Sequence, residues 1–384
     1  MTGKIVLEGS VRIEVPEPEG YRTPSGDYAP SLSEVFYNPH MELCRDISVS
    51  VAQVIERELG ELRACDPLAG VGVRGIRYAV EVEGTTEVLI NDRSVAAQKY
   101  ISRNLELNPS AAIRKENDDA NVVMLKNRGR FNFIDIDPFG SPARFMDAAC
   151  AAVSRRGMIA LTATDTGPLC GSHPRTCLRR YGARPIRTEY CHELGIRILI
   201  GFCQRVAGKH ELGLEPVLVH STRHYFRVYL RARRGTSLAD ASLRKQGYIS
   251  HCFSCGRRWV SEGMLNISRC ECGSPLEHSG PLWTGPLWER EFLEKVISDI
   301  SWRSFRLRME EMRMLFLCLE ECHGPPTFYD INEVASMART SPPKMKRLLE
   351  QLRRCGRFAS RTHFSPTGFR TEADIEEITR MLRD

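Results

Sequence analysis

An acid, a proline, an aromatic and a glycine, Asp137-Pro138-Phe139-Gly140, close an apolar run at 131–136 in the string FNFIDIDPFGSP. A carboxylate and a backbone carbonyl beside a flat ring suit a planar base that carries an exocyclic amine. The oxygens accept hydrogen bonds from the NH2 group, and the ring of Phe139 lies against the base. Asp137, Pro138 and Phe139 are therefore the expected place for methyl transfer to an amine. The competing reading is a strand that ends in an ordinary turn, since Asp-Pro often starts one.

A second group lies upstream. Asp66-Pro-Leu-Ala-Gly-Val-Gly-Val-Arg-Gly75 follows a strand and opens a helix, with Gly70, Gly72 and Gly75 in G-x-G-x-x-G spacing. Such glycines allow a tight turn and close backbone approach to a ligand. Asp92 lies 20 residues after Gly72, past the next strand, and suits two ribose hydroxyls. Nicotinamide, flavin and S-adenosylmethionine enzymes all use versions of this loop. A pyrophosphate wants an uncluttered helix N-terminus, whereas this loop carries Asp66 for an ammonium and Arg74 for a carboxylate, as an amino-acid-bearing cofactor requires. Arg74 on a solvated face is the alternative. Asp119-Ala120 follows the third strand, where an acid can accept from an adenine amine; Asp118 competes for that role, and N-capping of the next helix is the plain reading.

Cys252-x2-Cys255 and Cys270-x-Cys272 outline a zinc ribbon, each pair followed by glycine. Zinc takes four soft ligands in a tetrahedron. The second pair is one residue short of the usual gap, which leaves His251 or His278 as substitutes. Any zinc here is expected to be structural. His192-Glu193 lacks the second histidine of a catalytic zinc helix, because Ile196 stands there. Cys170 reads as a packed loop thiol.

Residues 339–370 hold nine lysines and arginines against one acid, Glu350, with Phe358 and Phe364 between them. Such a patch releases counterions on meeting phosphates and is expected to bind RNA in a salt-dependent way. A second cluster, Arg175, Arg179, Arg180, Arg184 and Arg187, should border the mouth of the site. A solvated charged face is the alternative for both.

The elements that must position these groups follow from periodicity. Residues 4–16 read as a hairpin. Strands are expected at 62–65, 87–90, 112–115, 131–136 and 158–162, with helices near 73–82, 94–105 and 142–154. That alternation predicts a parallel, doubly wound α/β sheet. A helix at 187–206 is followed by apolar runs at 216–220 and 225–232, whose four-residue link is too short for a crossover, so this pair must be antiparallel. A parallel sheet with an antiparallel final hairpin resembles the methyltransferase variant of the Rossmann fold more than the dehydrogenase one. Beyond residue 234 a zinc-ribbon-like segment precedes four helices at 289–300, 305–321, 331–338 and 343–355, with Ser341 capping the helix that Pro343 opens. A wing at 357–370 completes a winged-helix-like α+β domain. The expected division is 1–235, with a hairpin and cofactor-capping segment in 1–50, then 236–286 and 287–384.

The 384 residues include 42% hydrophobic ones, enough for a folded core, and the net charge is only +6. No apolar run reaches the roughly 18 residues of a membrane span or the length of a signal peptide. Fourteen cysteines without an export signal point to thiols or metal ligands. A cytoplasmic protein with no membrane association and no obligate protein partner is expected.

With these motifs in hand, the chain resembles the tRNA (guanine-26-N2)-dimethyltransferase family over nearly its whole length. The resemblance rests on VFYNPHMELCRDISV, DPLAGVGVRGIRYA, IDIDPFGSP and LTATDTGPLCG. It implies a class I methyltransferase domain with a C-terminal domain, S-adenosylmethionine as cofactor, tRNA as partner, and dimethylation of the guanine amine at position 26. By likeness Arg45, Arg74, Asp92, Asp119 and Ala120 hold the cofactor and Asp137 is the catalytic acid. His40 departs from the cationic residue expected after Asn-Pro. Adenine amino-methylation or a neighbouring guanine remains open, as does a nicotinamide oxidoreductase or a non-catalytic nucleic-acid binder.

Overall fold

The computed structural model describes residues 3–17, 33–264 and 267–383; the rest of the expected capping segment, 18–32, lies outside them. A hairpin of β1 (Lys4–Glu8) and β2 (Val11–Val15) precedes helix α1 (Glu42–Leu59). Strands and helices then alternate: β3 (Leu62–Asp66), α2 (Val73–Glu81), β4 (Thr85–Asn91), α3 (Val95–Leu107), β5 (Ile113–Glu116), α4 (Ala120–Lys126), β6 (Phe131–Ile136), α5 (Met146–Ala152) and β7 (Val153–Ala163). Two short helices, α6 (Thr166–Leu169) and α7 (Pro174–Tyr181), lead to α8 (Cys191–Gly208), β8 (Leu212–Thr222) and β9 (Tyr225–Arg234).

Seven strands form one sheet in the order β5-β4-β3-β6-β7-β9-β8. The strands from β5 to β7 are parallel, and β9 runs antiparallel to both β7 and β8. The order grows outward from β3 on one side and from β6 on the other. A crevice therefore opens above the carboxyl ends of β3 and β6, where ligands bind in open α/β sheets. All six residues of β6 are buried, as a strand covered on both faces requires.

Helix α9 (Thr236–Arg244) leads into a three-stranded sheet ordered β11-β10-β12, made of β10 (Gln246–His251), β11 (Arg258–Ser261) and β12 (Glu277–Trp283). Then come α10 (Arg290–Trp302), α11 (Arg308–Glu321), β13 (Tyr329–Asp330), α12 (Ile331–Ala338), α13 (Met345–Arg354), β14 (Ala359–Arg361), β15 (Gly368–Thr371) and α14 (Ile375–Arg383). One apolar core runs from β2 through the main sheet to Leu315 and Phe328; a second gathers Ile331, Leu348, Leu352, Phe369 and Ile378.

Several local expectations are corrected. Lys344, not Ser341, precedes α13, because the pair Pro342-Pro343 holds an extended segment and delays the helix. The region expected to be helical at 142–154 is a single 3-10 turn and then α5, with β7 already begun at Val153. Helices α1, α6, α7, α9 and α14 have no counterpart among the elements expected from periodicity.

A buried ionic network ties the C-terminal part to the main domain. Arg370 bonds Glu193 on α8 and Glu321 on α11, at 2.8 Å each. It also donates to the carbonyl of Thr327 at 2.9 Å, and His363 Nδ1 meets Glu321 at 2.8 Å. Burial alone would raise the Glu193 carboxyl, but Arg370 and Arg197 bring it down to about 2. Arg370 therefore cannot serve the basic patch, and Phe364 stacks inside on Phe328 at 5.9 Å. Arg357 is exposed but paired with Glu377. Arg339, Lys344, Lys346, Arg347, Arg354 and Arg361 remain exposed.

Candidate active site

The loop after β3 turns through two left-handed glycines, Gly70 (φ 55°) and Gly72 (φ 85°). At Gly70 a Cβ would sit 2.8 Å from the carbonyl of Phe36, so a side chain there is excluded. At Gly75 a Cβ would sit 2.6 Å from Ile90 Cγ1, so the third glycine lets α2 press on β4. Asp92 accepts from the amides of Gly70 (2.9 Å) and Ser94 (2.8 Å), fixing the loop against the end of β4.

A cleft of about 460 Å³ lies above these strand ends, lined by Leu68, Gly70, Asp92, Asp137, Pro138, Phe139 and Thr164, with Phe36 and Met41 covering it. A smaller pocket of about 30 Å³ shares Phe36, Asn38, Leu68 and Asp137 with it and adds Arg45, Asp66 and Arg74. A larger cavity, about 1010 Å³, is lined by Arg63, Arg155, Arg156, Arg231, Arg233 and Arg234 at the opposite end of the strands, where β3 and β7 begin. It contains none of the predicted groups, so volume alone does not locate the chemistry.

Phe139 is 61% exposed at the cleft, and its ring meets Phe36 edge-on with centroids 4.3 Å apart. The left-handed Gly140 exchanges hydrogen bonds with Thr164: its amide donates to Thr164 Oγ1 (2.7 Å) and its carbonyl accepts from the Thr164 amide (3.0 Å). The Asp-Pro-Phe turn is thus braced from β7.

Asp137 keeps 17% of its side chain exposed and takes one bond, from Arg74 to Oδ2 at 2.5 Å. Among the described residues Oδ1 has no hydrogen-bond donor. The carboxylate is ion-paired yet still faces the cleft. Asp135, two residues earlier and fully buried, is saturated instead. It accepts from Arg227 twice at 2.7 Å, from Arg74 at 3.2 Å and from the Tyr78 hydroxyl. Burial opposes its ionisation, but Arg227 and Arg74 prevail and lower its pKa. Neither Asp135 nor Arg227 was singled out in the sequence. A carboxylate inside an otherwise apolar strand was the available signal.

Asp66 is buried and accepts from the Gly75 amide at 2.9 Å; burial, partly offset by Arg74, raises its pKa to about 7. Arg45 is held by Glu8 of the N-terminal hairpin at 2.5 and 2.6 Å, a partner not anticipated. Asp119 and Ala120 are not among the residues that line the cleft, although the segment before them is bonded to the end of β4 through Asn117 to the Asp92 carbonyl and Asp118 to Asn91. Asp119 caps α4 by accepting from the Asn121 amide at 2.9 Å, and Asp118 pairs with Lys126.

The four ribbon cysteines do converge. Cys252 and Cys272 lie 3.5 Å apart, as do Cys255 and Cys270, and all four sulfurs lie within 4.8 Å of one another. A tetrahedron with Zn–S bonds of about 2.3 Å has edges of about 3.8 Å, so the set fits zinc. Neither substitute histidine is needed: His251 bonds Tyr190 and His278 bonds Ser250.

Comparison with known proteins places this geometry. The family model described as N2,N2-dimethylguanosine tRNA methyltransferase matches residues 9–383. A tRNA (guanine(26)-N(2))-dimethyltransferase of Methanothermobacter thermautotrophicus is 41% identical, covering 98% of both chains. That of Pyrococcus abyssi is 36% identical, again covering 98% of both. The solved complex of Trm1 from Pyrococcus horikoshii with S-adenosyl-L-methionine superposes with a TM-score of 0.87 at 34% identity, covering 99% of this chain and 100% of that one. Among the described residues no helix is long and apolar enough to cross a membrane. The chain belongs to the N2,N2-dimethylguanosine tRNA methyltransferase family.

Proposed function

We propose that this protein transfers two methyl groups from S-adenosylmethionine to the exocyclic N2 of guanine 26 of tRNA, in the cytoplasm. The observation that carries the reading is Asp137, a cleft-facing carboxylate with one oxygen held by Arg74 and the other without a donor among the described residues, beside an exposed phenylalanine.

The donor set suits the cofactor. Asp66, with one amide bond and a carboxyl poised near 7, offers an acceptor to an ammonium, and Arg45 and Arg74 offer cations to a carboxylate. Asp92 suits the ribose hydroxyls, with Gly70 and Gly72 leaving room beside them. Asp119 and Ala120, at the end of β5, remain the proposed adenine contacts. When bound, the cofactor supplies an electrophilic methyl group on a sulfonium.

The chain's own residues do the rest. Guanine's amine is a weak nucleophile because its lone pair is delocalised into the ring. Asp137 and the Pro138 carbonyl accept from its two hydrogens, which raises electron density on nitrogen and fixes the direction of its lone pair. Asp137 need not be a strong base, since the methylated ammonium is itself acidic. After the first transfer only one hydrogen remains, so one acceptor must give way to a methyl group. The base must leave the tRNA stack, and Phe139 replaces a lost stacking partner.

Zinc in the Cys252–Cys255–Cys270–Cys272 cluster is assigned a structural role. It would hold the ribbon from which Arg257 pairs with Glu271 and with Glu376 of α14. The exposed cations of 339–361 and of the Arg175–Arg187 segment are assigned to the tRNA backbone. Nucleoside mass spectrometry tests the function. Transcripts with guanine at position 26 should gain N2,N2-dimethylguanosine and those with adenine there should gain nothing; methylated adenosine would favour the rival reading.

A further inference from the structure

Four of the cysteines form the ribbon, but another pair meets a histidine elsewhere. We infer that Cys170, Cys191 and a ring nitrogen of His192 form a second, separate site for a thiophilic divalent cation, zinc by class, joining the turn after α6 to the start of α8. The ligand atoms of these three residues lie within 4.8 Å of one another, and both thiols are free. Methyl transfer to an amine gives them no role.

The backbone holds the two segments for this. Cys170 closes α6 through its amide to the Thr166 carbonyl at 2.8 Å, and the Cys191 amide donates to the Thr188 carbonyl at 3.1 Å. At Gly171 (φ 93°) a Cβ would lie 3.1 Å from the Arg187 amide nitrogen, so the segments are pressed together beside the cysteines. His192 is oriented by Ser221 Oγ, 3.3 Å from Nδ1, the type of outer contact that fixes a ligand imidazole. Cys170 is buried, whereas Cys191 and His192 keep partial access to solvent, so an ion can enter. Two thiolates and an imidazole select zinc or another soft cation over magnesium or calcium. Three protein donors leave the fourth tetrahedral position to water.

The placement gives the site a consequence. The chain that carries Cys170 begins at Thr164, which braces Gly140, and continues to Tyr181, whose hydroxyl lies 2.7 Å from Ser141 Oγ. A cation at Cys170 would stiffen the mount of the Asp-Pro-Phe turn without touching the reacting groups.

The test is metal analysis of the tag-free full chain, saturated with zinc and desalted, beside the double variant C170S/C191S, with the ribbon intact in both. The expected result is a loss of one zinc equivalent in the variant, with a matching loss of thiolate-to-cobalt absorption after cobalt substitution. Equal metal content in the two proteins would overturn the inference. Should the variant fail to fold, anomalous diffraction at the zinc edge from wild-type crystals decides. A peak between Cys170, Cys191 and His192 upholds the site; a Cys170–Cys191 disulfide, or no peak there beside a filled ribbon, rejects it. Because metal content is read, failure here is distinct from failure of the proposed methylation.

Discussion

Two of the buried ionic networks in this chain, one at the C-terminal junction and one under the cleft, use their hydrogen-bonding capacity differently. At the C-terminal junction Arg370 sits among Glu193, Glu321 and backbone carbonyls, and His363 takes a further position on Glu321. Under the cleft the same design starts with Asp135, Arg227 and Arg74, yet the last member, Asp137, is left half satisfied at the solvent edge. A saturated buried network fixes one geometry, and breaking it leaves an uncompensated charge. An incomplete one at an edge keeps an acceptor for a ligand, at a position its saturated neighbours hold still. The first network joins parts of the protein; the second aims a carboxylate.

Asp137→Ala should lower methyl transfer on the order of 1,000-fold, as loss of a preorganised polar group does. Cofactor affinity by calorimetry should change little, because Asp137 serves the base. Arg370→Leu should cost about 3–5 kcal/mol of stability, since Glu193 and Glu321 would stay buried without their partner. Urea unfolding measures it, and a change below about 1 kcal/mol would show that the junction is not held this way.

Asp66 gives a pH signature. Its folded pKa of about 7 lies above the ordinary carboxylate value, so folding takes up a proton. Its contribution to stability is present at low pH and is lost as pH rises towards and through 7. Binding of an ammonium-bearing cofactor should run the other way, weakening by up to about tenfold per unit as pH falls below 7. Asp66→Asn should flatten that dependence, and an unchanged slope would remove Asp66 from the ammonium site. Phe139→Ala should have the smallest effect. Loss of base stacking, about 1–3 kcal/mol, should appear as weaker tRNA binding with cofactor affinity intact.

Much of the fold was legible because it is local and periodic. The alternation from β3 to β7 and the antiparallel pairing of β8 with β9 follow from apolar runs and loop length, although the link is two residues and not the four expected. The glycine spacing, Asp92 and the Asp137 turn were readable because few residue types fit those positions. What escaped were partnerships across long stretches of sequence. Nothing near Arg45 announces Glu8, and nothing near Arg370 announces Glu193, 177 residues earlier. Charge counting placed Arg370 on a surface because sequence carries sign but not burial. Helix α14 was overlooked although its apolar positions, Ile375 and Ile378, close the second core.

Asp137 clasping the amine of the target base is the central step of the proposed transfer. A double-mutant cycle tests this directly: binding of wild type and Asp137→Ala to tRNA bearing either guanine or inosine at position 26, inosine lacking the 2-amino group. The wild type should favour guanine by about 1.5–3 kcal/mol, the range for a hydrogen bond to a charged group, and the variant should lose most of that preference, keeping only the share of the Pro138 carbonyl. Equal preference in both proteins would contradict the assignment of Asp137.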